Sequence, residues 1–121
     1  METRVRLLVV LSGLPEPVLQ HVVSTRAGTR RLDLAWPAVR VALEYDGRHH
    51  IEREGQWRGD LVRREELEGE RWRFVVVVAA DVYATPDATV RRVETALRRA
   101  GVRVRASSNE WRRHFPARQA A

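Results

Sequence analysis

Asp33, Glu44 and Asp46 are the residues of this sequence whose types and spacing could do chemistry. Glu44 and Asp46 are two positions apart, so on a strand they share one face. Asp33 reaches that face if Trp36-Pro37-Ala38 turns the chain back on itself. Such a hairpin sets Asp33 opposite about Ala42 and makes Glu44 its same-face diagonal neighbour, roughly 7–8 Å away at the backbone. Carboxylates gathered at this separation repel one another unless a hard cation sits among them. Oxygen-only ligation favours magnesium, with manganese able to substitute. A metal of this kind lowers the pKa of a bound water and stabilises charge on a phosphoryl group, the chemistry of phosphodiester hydrolysis. Acids on the outer face of a strand are most often simply solvated. Here they stand in Leu43-Glu44-Tyr45-Asp46-Gly47, among apolar residues and beside a glycine bend, with His49 and His50 soon after.

Histidine titrates near neutral pH, so His49 or His50 could move a proton, whereas His21 and His114 read as surface residues. Trp36, Trp57, Trp72 and Trp111 read as core before base-stacking platforms, although Trp57 lies beside the candidate site and fits either role. Asp60 and Arg63, three apart on a helix, make a local ion pair, with a phosphate-facing Arg63 as the functional variant. The net charge is +6, and all 22 basic residues are arginine. A GC-rich coding bias accounts for that preference as well as function does. It still leaves a surface of planar forks suited to phosphate, with Arg48, Arg63 and Arg64 as the candidate nucleic-acid contacts.

The elements that must position these groups follow from pattern. Glu2 to Leu11 reads as a helix stopped by Gly13-Leu14-Pro15. Val18 to Val23 and Arg31 to Ala35 read as strands around a turn at Gly28. Val39 to Asp46 alternates as a half-buried strand, with Val39, Val41, Leu43 and Tyr45 on one face. Trp57 to Glu68 reads as a helix. The valine run from Phe74 to Ala80 reads as a central strand deep in the sheet, buried on both faces. Thr85-Pro86-Asp87 opens a helix that runs from Asp87 to Ala100 and ends at Gly101. Val102 to Arg105 suggests a short edge strand, and 107–121 a frayed tail beyond a single domain over 1–106. The order, helix, three-stranded meander, helix, strand, helix, packs as a mixed sheet with helices on its faces.

These residues resemble the PD-(D/E)xK nuclease superfamily, and within it the small very-short-patch-repair-like endonuclease domains. The resemblance rests on Leu32-Asp33-Leu34-Ala35-Trp36-Pro37, Glu44-Tyr45-Asp46-Gly47-Arg48-His49-His50, Asp60-Leu61-Val62-Arg63 and Trp72 with its valine strand. It covers about Glu2 to Ala100. It implies an α/β fold of the α+β kind, a restriction-endonuclease-like mixed sheet flanked by helices. It makes Asp33 the first metal ligand, Glu44 the second acid, Asp46 and His50 further active-site groups, and Glu2 the acid of the first helix. The superfamily's third catalytic position is ordinarily lysine. Here Asp46 occupies it, so positive charge toward the phosphate must come from His50 or an arginine such as Arg63.

The expectation is therefore a magnesium-dependent endonuclease of DNA, with Asp33, Glu44 and Asp46 as metal ligands. The alternative is a non-catalytic DNA-binding or toxin–antitoxin module on the same fold, and a protein-interaction domain ranks below both. The absence of cysteine excludes disulfides and thiolate chemistry and suits a reducing, cytoplasmic setting. The apolar run Leu7 to Leu11 is too short for a membrane span. Oligomeric state stays open, as does fusion or pairing with another module.

Overall fold

The computed structural model describes residues 2–26, 28–47, 54–104 and 110–115, with the side chains of residues 2 and 54–60 outside the description. The helix α1 (Glu2–Leu11) leads into an antiparallel meander of β1 (Val18–Thr25), β2 (Gly28–Trp36) and β3 (Val41–Tyr45). The helix α2 (Glu54–Gly69) crosses over to β4 (Arg73–Val77), which pairs parallel to β3. The short helix α3 (Ala79–Tyr83) and the longer α4 (Pro86–Arg99) follow. The sheet order is β1-β2-β3-β4, a four-stranded mixed sheet flanked by helices and an α+β fold. A parallel neighbour needs a long crossover, which α2 supplies, and that is why the strand order stays sequential.

The sheet divides two unequal cores. The larger joins Leu34, Trp36, Val41 and Leu43 to Val5, Leu8 and Val9 of α1 and to Val93 and Leu97 of α4. The smaller gathers Leu32, Ala35, Ala42, Leu67 and Trp72 on the opposite side. Trp36, Trp72 and Trp111 are buried as core residues. His21 stacks at a tilt on Trp72, with ring centroids 6.0 Å apart.

Several expectations change. The third strand begins at Val41, because Pro37–Val39 form a 3-10 turn and Arg40 takes a left-handed conformation, φ 54. Val41, Ala42 and Leu43 are all buried, so this strand is covered on both faces. The valine run ends at Val77. The strand β4 is the outer strand of the described sheet rather than a central one, since the crossover adds it beside β3. Residues 102–104 form no strand; Val102 and Val104 pack on the larger core. The C-terminal segment does not simply fray: Glu110–Arg113 form a 3-10 turn that buries Trp111, with buried Phe115 just beyond it.

Candidate active site

The site is set by strand register. The pairs Trp36–Val41, Ala35–Ala42 and Leu34–Leu43 close a four-residue connection over 37–40. Carried one step further, this register sets Asp33 opposite Glu44, and their side chains share a hydrogen bond. The expected partner of Asp33 was Ala42, two residues earlier. The 3-10 turn and left-handed Arg40 lengthen the connection, and a slip of two residues leaves every side chain on its intended face. The acids are therefore closer than a diagonal pair.

A second local feature singles out Asp33. The β1–β2 ladder runs Val18–Ala35 and Leu19–Leu34, then His21–Leu32, skipping Gln20 and Asp33. Gln20 has φ 50, a left-handed value inside a strand. Leu34 and Trp36 belong to the larger core, but Leu32, which strict alternation would put with them, belongs to the smaller. Both strands thus lose their alternation at one level, and Asp33 sits at that break. Its Oδ2 accepts the backbone N–H of Tyr45 at 3.2 Å.

Glu44 holds its proton more tightly than a free carboxyl does. Burial first, then the Asp33 charge and a hydrogen bond between the two side chains, together raise its carboxyl from 4.5 to about 7, against the pull of Arg63. Arg63, on α2, places Nη2 3.1 Å from Glu44 Oε1 and also donates to the Arg31 carbonyl. A cation from the crossover helix therefore enters the acid pair, where sequence spacing had matched Arg63 with Asp60. The side chain of Asp60 lies outside the description, as does that of Trp57. The ion pair Arg30–Glu66, 2.9 Å, fastens the hairpin to the same helix.

The other candidate residues are less drawn together. Asp46 continues β3, its N–H donating to the Val77 carbonyl at 2.8 Å, and is half-buried. Arg64 is half-buried on α2 beside Arg63. Glu2 opens α1, but its side chain lies outside the description, and Arg48, His49 and His50 lie outside the described residues altogether. Among the described residues, no group of three His, Asp or Glu side chains is placed to hold a metal ion. The three-carboxylate set therefore reduces here to the pair Asp33 and Glu44. Their carboxyl oxygens are of the donor type that suits a hard divalent cation.

The Tyr45 amide and the Glu44 contact of Arg63 are the features that sequence reasoning missed. The first depends on the register slip and the second on where a crossover helix lands, and neither leaves a local signal. Among the described residues, no helix is long and apolar enough to cross a membrane. The chain is similar to two Mycobacterium tuberculosis proteins, Uncharacterized protein MT2308 (strain CDC 1551 / Oshkosh) and Uncharacterized protein Rv2248 (strain ATCC 25618 / H37Rv). Each is 33% identical over 101 residues, which are 83% of this chain and 37% of theirs. The chain thus spans well under half the length of those relatives. No family model and no solved structure matches it.

Proposed function

We propose that this domain is a magnesium-dependent endonuclease that hydrolyses DNA phosphodiester bonds in a reducing, cytoplasmic setting. The observation that carries the reading is the facing pair Asp33 and Glu44 with Arg63 at 3.1 Å. Burying a carboxyl against another acid is unfavourable, and a surface made only to hold DNA gains nothing from it. Asp33 and Glu44 would hold the divalent ion, with Asp46, just past the end of β3, as a further oxygen donor. The ion, magnesium or manganese, supplies Lewis acidity and an activated water.

The chain's own groups do the rest. The Tyr45 N–H fixes the Asp33 carboxylate, so that acid is oriented before any ligand arrives. Arg63 takes the part of the superfamily's missing lysine, offsetting negative charge where a phosphate approaches. His50 serves as the proton-moving group, and Arg48, Arg63 and Arg64 contact the phosphate backbone. Glu2 is assigned as a further acid of the site. The test is plasmid nicking by purified protein with magnesium, manganese or calcium. Nicking with the first two and binding without cutting in calcium supports the reading. A protein that binds DNA and cuts neither DNA nor RNA in any of the three is instead a non-catalytic module.

A further inference from the structure

The two edges of the described sheet differ in chemistry. The edge strand β1 exposes Val18, Leu19 and Val22, whereas β4 is bordered by arginines on both faces. On one side an open cavity of about 430 Å³ is lined by Val75 of β4 and by Arg91, Arg92 and Arg99 of α4. On the other, an open cavity of about 620 Å³ is lined by Phe74 and Val76 together with Arg64, Arg71, Arg73 and a single acid, Glu68. Within the strand, Val77 turns its carbonyl to β3, where Asp46 donates to it, and Val76 accepts from Arg92 Nη2 at 2.9 Å. A guanidinium thus caps the outer edge itself, which blocks the addition of another strand and leaves positive charge in its place.

The pairing of these arginines is uneven. Arg91 and Arg92 are exposed and pair only loosely, at 3.8 and 3.6 Å, with the half-buried Asp87 and Asp81. Arg64, Arg71, Arg73 and Arg99 have no ion pair among the described residues. Guanidinium groups spaced along an edge, with few acids among them, match the repeating charge of a phosphodiester backbone. The edge also leads to the acid pair, since Val76 of β4 stands beside Glu44 of β3.

We infer that the outer edge of β4 is a track for a nucleic-acid backbone, held from both faces by arginines, that delivers the strand to Asp33 and Glu44. The inference rests on the proposed nuclease reading for its destination but not for its binding. Anisotropy of a labelled mixed-sequence duplex, measured without divalent cations across a salt series, tests it directly. Arg73→Ala combined with Arg99→Ala should weaken binding about tenfold at moderate salt. The same pair should lower the slope of log affinity against log salt by about two, because two phosphates are no longer neutralised. Arg98→Ala, on the same helix but paired with Glu94 at 2.7 Å, should leave the slope unchanged. The double lysine variant should recover most of the affinity, because the charge returns. Double-alanine binding within twofold of the parent, an equal loss in Arg98→Ala, or no parent binding at low salt overturns the track. Nicking by the same proteins is scored separately. A track that binds without nicking sinks only the nuclease reading, and nicking without the track's salt signature sinks only the track.

Discussion

Arg63 of α2 and Glu44 of β3 meet at 3.1 Å, so one guanidinium from the crossover helix steadies an acid that also faces Asp33. Arg63→Ala removes the influence that holds the Glu44 carboxyl down, and that carboxyl should then titrate above about 7. Carbon-detected NMR of the side-chain carboxyls measures this. Nicking should fall roughly a hundredfold, and Arg63→Lys should restore part of it. An unmoved Glu44 titration would remove Arg63 from the site.

The raised Glu44 value also makes the metal-free fold sensitive to pH. The folded state holds this proton more tightly than the unfolded chain does. The resulting stabilisation is complete below about 4.5 and is lost as pH rises through about 7. At pH 8 the loss is at most about 3 kcal/mol. Glu44→Gln cannot ionise, so it should melt higher than the parent at pH 8 and flatten the melting profile between pH 5 and pH 8. Parallel profiles for the two proteins would deny the carboxyl its burial penalty.

Asp33→Ala and Glu44→Ala should abolish plasmid nicking while keeping the fold. Asp33→Ala leaves the Tyr45 amide without its acceptor, costing about 1 kcal/mol, and relief of repulsion between the acids offsets part of that. Thermal melts of both variants serve as the control. Nicking that persists in both at the parent rate would assign the activity to a contaminant or another site.

Asp46 and His50 should separate by role. Asp46→Asn should weaken manganese binding measured by calorimetry. His50→Ala should leave it unchanged and slow single-turnover cleavage by roughly a hundredfold. Two variants that both cut at the parent rate would place neither residue in the reaction.

Much of the fold was legible because its signals are local. The span Glu2–Leu11 ends where Gly13, at φ 83, permits the turn, and Thr85-Pro86 starts α4 at Pro86. Asp33 and Glu44 were legible as a pair because period two survives any even slip. Their direct opposition was not, since it depends on Arg40 adopting a left-handed conformation that only glycine would advertise. The valine run announced a strand but not its place in the sheet. Being apolar on both sides describes an outer strand that packs on α4 with one face and turns Phe74 to the smaller core with the other, as well as a central one. Trp111 and Phe115 lie in a segment with no period, and burial there comes from filling a gap beside α1.

The smaller of the two cores has a consequence for how the molecule opens. Among its described side chains, α2 buries Leu67 alone, while α1 and α4 are anchored by several residues each. In the hierarchy of local unfolding, the segment with the least buried apolar surface detaches first. Amide hydrogens of α2 should therefore exchange before those of β2 and β3, in a unit that takes Arg63 with it. Exchange of α2 only together with the sheet would mean a single cooperative block. If α2 does detach first, the counter-charge of Glu44 is carried on a hinged cover, and the two acids are bared without any loss of the hairpin that aligns them.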